Sequence, residues 1–279
     1  MPIDPDTVGR RVAVRRTWDC TDCLVYALGV GAGSSDPEHD LAFTTENSRG
    51  VPFRALPTFA TVLVGGEAPP VGAFDLAAML HREEHLVLHR AIPVEGALVA
   101  EREVVAITDA RVGALVEVVT SARDAASGEP LFTTRSSFVI HGERAPNRAR
   151  ALGPRPVRPA RLPDATVAMA TSPDQALRFR LSGDRNPVHS DPSEARRAGF
   201  ERPILHGLCT FGFTGRAVLD ELCVGDPARL TALGGRFASP ALPGDRLDVE
   251  IWRTSPGEAF VRAVVGSRAV LDSGYCHFR

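Results

Sequence analysis

Several short runs of the chain alternate apolar and polar residues, and these runs predict antiparallel strands. The first half contains "ALVEVVTSAR" and "GEPLFTTRSSFVIHG", and the second half contains "AFVRAVVGSRAVLDSGYCHF". Valine, phenylalanine, threonine and isoleucine at near-alternate spacing, with Gly, Pro and Asp turns between the runs, are typical of a meander. Each half is therefore expected to form an antiparallel sheet.

One segment has the helical period instead. "LCTFGFTGRAVLDEL", which begins at Leu208, contains no proline and spaces residues such as Phe211 and Leu219 along one helical face. "LPTFATVLVG", which begins at Leu56, matches it in place and pattern, so we expect a helix in the first half as well. A sheet wrapped around such an apolar helix would bury the helix on most sides.

The chain divides into two diverged copies of this unit. In each half a turn containing Pro and Gly leads into a strand, "IPVEGAL" in the first and "LPGDRL" in the second. Between the halves, residues 142–164 are rich in Pro and Arg and lack a hydrophobic period, which indicates an exposed connector. We therefore predict one repeat over residues 1–141 and a second over residues 165–279.

Composition narrows the class of protein. The 279 residues are 44% hydrophobic, which suffices for one large domain or two packed halves with a real core. A formal net charge of −2 lacks the basic excess of a general nucleic-acid binder. The apolar runs are shorter than the ~20 residues of a membrane span, and neither "MPIDPDTVGR" nor "CHFR" matches a secretory or peroxisomal signal. We expect a cytoplasmic protein with neither nucleic acid nor membrane as a partner.

The residue types present also limit the chemistry. Every basic residue is Arg, so a Schiff-base or phosphate-binding lysine is excluded. The five cysteines are scattered, which argues against a disulfide framework, and Cys20 and Cys23 have no second close pair for zinc. No metal site is predicted.

The loop "GDRNPVH" is the main candidate for chemistry. It contains Asp184, Asn186 and His189, and its proline favours a rigid, non-helical conformation. Gly207, in "HG" at the start of the predicted helix, would offer a free N–H to a substrate oxygen. An acid–base pair facing such a donor suits a reaction that passes through an oxyanion, such as addition or removal of water, or attack of water on a carbonyl. Asp, Asn and Pro also build ordinary turns, so the spacing alone leaves both interpretations open.

"FRLSGDRNPVHSDPSEARRAGF" closely resembles the hydratase-2 motif of the MaoC-like, (R)-specific 2-enoyl-CoA hydratases. "YALGVGAG", "LAFTTE" and "LHREEHLVLHRAIPVEGAL" resemble the first half of the two-repeat members, and "GGRFASPALPGDRLDVEIW" resembles the second half. The resemblance implies an α+β double hot-dog fold, with two repeats that each wrap a sheet around a long helix. It also implies that only the second repeat carries the catalytic loop, while the first accommodates the acyl chain.

The resemblance assigns roles to individual residues. It implies Asp184 and His189 as the catalytic pair, Asn186 as their support, and the Gly207 N–H as the donor to the thioester oxygen. It implies (R)-specific hydration of a trans-2-enoyl-CoA by a homodimer, without a metal or redox cofactor. Arg82 departs from the family, which usually has Gly there, and Arg111 could replace a family Lys. The residues expected to line the substrate site are Glu46, His81, Arg82, Arg111 and Phe237.

Two other functions fit the same fold. A hot-dog acyl-CoA thioesterase would direct water at the carbonyl, but such enzymes usually lack the D-x-N-P-x-H loop. A non-catalytic subunit that binds acyl-CoA or an acyl carrier would not need the intact Asp, Asn and His.

Overall fold

In the part of the chain that the structure describes, ten strands pair in antiparallel fashion and form one continuous sheet. The computed structural model describes residues 3–65, 71–75, 78–145 and 155–279. The strands are β1 (Arg11–Trp18), β2 (Met79–Leu88), β3 (Gly96–Ala110), β4 (Gly113–Asp124), β5 (Pro130–His141), β6 (Ala165–Ala170), β7 (Leu230–Phe237), β8 (Arg246–Ser255), β9 (Glu258–Val265) and β10 (Arg268–Phe278). The helices are α1 (Cys20–Gly29), α2 (Leu41–Thr44), α3 (Ala60–Leu63), α4 (Gln175–Phe179), α5 (Pro192–Arg197) and α6 (Gly207–Cys223).

The strand order shows how the two halves join. It runs β1-β3-β4-β5-β2-β7-β10-β9-β8-β6, so the strands of the first half lie side by side, followed by those of the second. The halves meet where β2 pairs with β7, in the register that places Glu83 opposite Arg236 and Val87 opposite Ala232. The expected meander in each half is confirmed, and the two meanders share their backbone hydrogen bonds at the junction.

Helix α6 confirms the helix expected after Leu208. It extends over seventeen residues, thirteen of them buried, and it contacts all five strands of the second half. Two of its glycines allow the first half to approach closely. A Cβ on Gly212 would lie 2.4 Å from Val30, and one on Gly215 would lie 2.5 Å from Thr58. No helix in the described ranges has the length and apolar character of a membrane-spanning segment.

The helix expected in the first half is much shorter than predicted. The segment from Leu56 forms only a 3₁₀ turn, Pro57–Phe59, followed by the single turn of α3. Four residues of this segment are β-branched, Thr58, Thr61, Val62 and Val64, and the sequence continues "GGEAPP" from Gly65, so helix propensity falls sharply where a long helix would have to extend. The α+β class holds, but only the second repeat has a long helix among the described residues.

The predicted connector lies partly outside the described residues, which exclude 146–154. Residues 155–164 contain neither helix nor strand. Arg155 of this segment donates a hydrogen bond of 2.8 Å to Glu83 on β2, and Arg161 donates one of 2.7 Å to the Arg253 carbonyl on β8. The described end of the connector is therefore attached to the sheet through arginine side chains.

Candidate active site

A cavity of about 730 Å³ opens between the two repeats, within the usual size range of small-molecule sites. The first repeat contributes α3 and the inner faces of β2, β3, β4 and β5. The second contributes residues 182–189, the start of α6 and the end of β7. Strands of one repeat and a loop of the other thus enclose a single space.

The loop that carries the predicted catalytic pair is shaped by its own side chains. Gly183 has φ +122°, a conformation that residues with a Cβ rarely adopt. The Asp184 carboxylate accepts a hydrogen bond of 3.1 Å from the Asn186 N–H. The Asn186 side chain in turn accepts one of 3.2 Å from Val188 and caps the 3₁₀ turn Pro187–His189. The loop therefore contains no α-helix but ends in one 3₁₀ turn, which Asn186 caps.

His189 is oriented by the chain that precedes α6. Its Nδ1–H donates to the Ile204 carbonyl at 2.9 Å, which leaves the Nε2 lone pair free to accept a proton. Burial lowers the pKa of His189, and the nearby Asp184 carboxylate only partly opposes that effect. The imidazole is therefore neutral near pH 7 and is available as a base.

His206 lies directly behind His189, a position that the sequence did not reveal. The two rings stack with centroids 3.7 Å apart and 27° between their planes. His206 is fully buried, and its Nε2–H donates to the Asp184 carbonyl at 3.4 Å. Burial, and secondarily His189, lowers its pKa well below the ordinary value. The only sequence signal for His206 is the "HG" pair at the start of the helix, from which only Gly207 was predicted as a site residue.

Gly207 presents the first N–H of α6 to the cavity. This N–H has no acceptor among the described residues, as expected for a helix start. A Cβ at Gly207 would lie 3.3 Å from three carbons of the Phe237 ring. Only a residue without a side chain leaves room here for a substrate oxygen to reach the N–H.

Three of the predicted substrate residues do line the cavity: His81, Arg82 and Phe237. The His81 ring stacks on Phe138 at 4.6 Å and meets the edge of Phe237 at 4.9 Å. Burial, and then the nearby Arg236, lowers the pKa of Arg82. Arg82, which stands where the resembling family usually has Gly, therefore places a guanidinium at the wall of the cavity.

The other two predicted substrate residues do not line the cavity. Glu46 is exposed and accepts a hydrogen bond of 2.8 Å from Asn47, because α2 ends at Thr44 and the extended chain then runs outward. Arg111 is exposed at the tip of the β3–β4 hairpin, although its neighbour Val112 does line the cavity. The resemblance to the family predicted both residues near the substrate. In the structure, Glu46 follows the end of α2 and Arg111 lies at a hairpin tip, and both side chains are exposed outside the cavity.

Asp184, His189 and His206 also raise the question of a metal. Each offers one donor atom, and the three atoms lie within 4.8 Å of one another, the only such group in the described ranges. Imidazole lone pairs lie in the ring plane, and a zinc–nitrogen bond is about 2.0–2.1 Å long. Two rings stacked at 3.7 Å cannot both direct a lone pair at one ion. The arrangement suits proton transfer better than chelation.

The two buried histidines predict that the protein loses stability in mild acid. The unfolded chain binds a proton at each below pH ~6.5, whereas the folded protein resists both protons, since burial lowers both pKa values. The unfolding free energy should therefore fall as the pH drops below ~6.5, by up to ~1.4 kcal/mol per pH unit for each histidine. Denaturant unfolding at several pH values measures this slope. A folded His206→Gln variant should have a shallower slope, and an unchanged slope would contradict the prediction.

Comparison with known proteins agrees with this geometry. Residues 156–272 match the MaoC like domain, and residues 17–142 match the MFE-2 hydratase 2 N-terminal domain. The 3-hydroxyacyl-thioester dehydratase Y of Mycobacterium tuberculosis is 44% identical, over 98% of both chains. The probable enoyl-CoA hydratase 2 of Dictyostelium discoideum is 36% identical, over 84% of this chain and 81% of that one.

A solved structure is similar to this chain over nearly its whole length. The MaoC-like dehydratase from Phytophthora capsici superimposes with a TM-score of 0.88 at 31% identity, over 99% of this chain and 98% of that one. The expected double hot-dog architecture is thereby confirmed. The chain belongs to the MaoC-like family, with a hydratase 2 type N-terminal domain preceding its MaoC-like domain.

Proposed function

We propose that the protein is a hydro-lyase that adds water to the double bond of a trans-2-enoyl-CoA, giving (3R)-3-hydroxyacyl-CoA, and that it catalyses the reverse dehydration. One observation carries the proposal. Asp184, His189 and the free Gly207 N–H border the same cavity, in a chain 44% identical to a protein named as a 3-hydroxyacyl-thioester dehydratase. Hydration of an enoyl thioester needs this combination of an acid–base pair and an oxyanion donor.

The catalytic pair would act on a single water molecule. The Asp184 carboxylate and the Nε2 of His189 hold that water over the 2,3-double bond. The water transfers its hydroxyl to C3 as the pair accepts its proton, and the pair then delivers a proton to C2 on the same face. The neutral state of His189 allows the first transfer. Protons and electrons balance without an external oxidant or reductant, so the proposal requires neither a metal nor a redox cofactor.

The helix start would stabilise the charge that develops. As the hydroxyl adds to C3, negative charge grows on the thioester oxygen, and the Gly207 N–H donates to that oxygen. A donor of this kind is typically worth about 3–4 kcal/mol of barrier. The Phe237 ring beside Gly207 keeps water from solvating the same oxygen. The CoA portion would supply the binding energy that holds the double bond in place.

The remaining expectations extend this proposal. Two chains would associate as a homodimer, and the enzyme would act in the cytoplasm on acyl-CoA thioesters. Size-exclusion chromatography coupled to light scattering tests the first of these, and cell fractionation tests the second.

A turnover assay with crotonyl-CoA separates the proposed activity from its two rivals. A hydratase forms 3-hydroxybutyryl-CoA, a thioesterase releases free CoA, and a binding protein gives neither product. The expected result is 3-hydroxybutyryl-CoA without stoichiometric release of CoA. Free CoA as the main product would establish the thioesterase.

The stereochemistry of the product is expected to be (R). With crotonyl-CoA as substrate, a coupled assay using an (S)-specific 3-hydroxyacyl-CoA dehydrogenase should form little NADH, while an (R)-specific dehydrogenase should form it readily. Running both couplings on the same hydration mixture controls for the amount of product. Rapid NADH formation with the (S)-specific enzyme would show that water adds to the opposite face.

A further inference from the structure

The wall of the cavity in the first repeat carries a patch of polar side chains, the polar band, formed by Glu84, Arg102, Thr120, Thr134 and Ser136. All five line the cavity. They come from four neighbouring strands, β3, β4, β5 and β2, so the band crosses the inner face of the sheet. A cavity that only accommodates a saturated acyl chain has no use for such a patch, since buried polar groups without partners cost free energy.

The strand register shows that the band is continuous. Arg102 pairs with Thr120, which pairs with Thr134, and these three side chains form one row across β3, β4 and β5. Glu84 pairs with Ser136 two residues along, on the same face, and forms the adjoining row. Directly paired residues of antiparallel strands place their side chains side by side. The five polar groups are therefore neighbours.

Apolar rows flank the band on both sides. On one side Ala100 pairs with Ala122, Ala122 with Phe132, and Phe132 with Leu88. On the other side Val116 pairs with Phe138. The polar residues therefore interrupt the apolar rows of β3, β4 and β5, and the second of these rows ends at His81 on β2.

Glu84 and Arg102 of the band have hydrogen-bond partners, whereas the hydroxyls of Thr120 and Thr134 do not. Glu84 accepts a hydrogen bond of 2.6 Å from Ser136 and lies 3.1 Å from His81, and Arg102 donates one of 3.1 Å to the Val64 carbonyl. Thr120 is only 4% exposed and Thr134 only 6%, yet neither hydroxyl has a hydrogen-bond partner among the described residues. Neither hydroxyl oxygen is among the fully buried side-chain atoms that lack a partner, so both hydroxyls open onto the cavity and are free to bond to a ligand that enters it.

The short helix of the first repeat is what opens the band to the cavity. In the second repeat, seventeen residues of α6 cover the inner face of the sheet. In the first repeat, α3 ends at Leu63. The next residue, Val64, accepts the hydrogen bond from Arg102 of the polar band. Among the described residues of the first repeat, no helix covers the band as α6 covers the inner face of the second repeat.

We propose that the substrate is an acyl thioester whose chain carries a neutral hydrogen-bonding group, a hydroxyl or a ketone, which bonds to Thr120 and Thr134. This inference rests on the proposed hydratase function and specifies its substrate class. A neutral group fits because the band holds one carboxylate, Glu84, and one guanidinium, Arg102, so the patch offers no net charge to attract an ion. Hydroxyls both donate and accept, so the two threonines suit either a hydroxyl or a ketone.

The test compares matched substrates and matched variants. Pairs of trans-2-enoyl-CoAs of equal chain length, with and without a terminal hydroxyl, are assayed over a series of lengths. At the length that reaches the band, kcat/KM should favour the hydroxylated member by about 5-fold, the contribution of one neutral hydrogen bond. In a Thr120→Val, Thr134→Val double variant this preference should vanish or reverse, since removing both hydroxyls leaves an apolar wall.

Thr133→Val provides the matched control. Thr133 is next to Thr134 on β5 but faces the other side, where its hydroxyl lies 3.0 Å from His89. This variant should retain the preference for the hydroxylated substrate, and thermal melting checks that all variants are folded.

The possible outcomes separate the two proposals. If the wild type hydrates crotonyl-CoA but favours the hydroxylated member at no length, or if the double variant keeps the preference, the inference is wrong and the proposed function stands. A greater preference for a terminal carboxylate than for a hydroxyl would also overturn it. If the wild type forms no 3-hydroxybutyryl-CoA, the proposed function itself fails.

Discussion

Replacing Asp184 with asparagine, or His189 with glutamine, is expected to lower kcat for hydration by about 10²–10⁴-fold, the usual contribution of an acid–base group. In the Asp184→Asn variant, the side-chain amide oxygen could still accept the backbone hydrogen bond from Asn186, so the loop should keep its shape. The amide could no longer take a proton from the bound water. Steady-state hydration of crotonyl-CoA, with circular dichroism and melting temperature as checks on folding, measures the loss.

Asp191→Asn is the matched control. Asp191 lies just beyond the catalytic loop, does not line the cavity, and caps α5 through a hydrogen bond of 2.7 Å from the Ser193 N–H. Asparagine is also a good helix cap, so this variant should remain folded and turn over at nearly the wild-type rate. A folded Asp184→Asn variant with the same rate as Asp191→Asn would show that the loop is only a turn.

Replacing Arg216 with methionine is expected to lower the free energy of unfolding by about 3–5 kcal/mol, the usual cost of leaving a buried charge unpaired. Arg216 on α6 and Asp40 are both buried, with their charged atoms 2.6 Å apart. Asp40 also accepts a hydrogen bond of 2.7 Å from the Gly33 N–H, and Arg216 donates to the Val30 carbonyl at 3.1 Å. The pair therefore connects the long helix of the second repeat to residues 30–40 of the first.

Two variants identify the source of this loss. Removing both charges, as Asp40→Leu with Arg216→Met, should recover part of the stability, because no unpaired charge then remains. Arg253→Met breaks the exposed pair with Glu221 and should cost less than about 1 kcal/mol. Denaturant unfolding of each variant gives the values. A similar loss for Arg216→Met and Arg253→Met would contradict the special role of burial.

The sequence predicted those parts of the fold and site that depend on local pattern. The apolar spacing after Leu208 predicted α6 to within a residue or two at each end. The residue types of "GDRNPVH" predicted a compact loop, because Asp184 and Asn186 bond to backbone N–H groups only two residues away. Interactions this short in sequence can be inferred from composition and spacing.

The parts that were missed depend on contacts between distant segments. The stacking of His206 on His189 joins residues from the loop and the helix start, whose relative angle no local pattern specifies. The Thr120–Thr134 row exists only through strand register, and threonine is so common in strands that neither residue drew attention. The prediction of a long helix after Leu56 was wrong, because an apolar run of ten residues is typical of both a long buried helix and a short turn.

The pairing of β2 with β7 has a consequence for the order in which the chain acquires its structure during synthesis. Strands β1 to β5 pair among themselves, so the first repeat can assemble as soon as residue 141 has left the ribosome. One edge of β2 then stays unpaired until β7 is synthesised, and the residues of β7 that pair with it lie roughly 150 residues further along the chain. An exposed strand edge of this kind recruits other strands. The nascent protein is therefore most vulnerable to aggregation between the completion of β5 and the emergence of β7, and a chaperone that binds extended segments would protect it most during that interval.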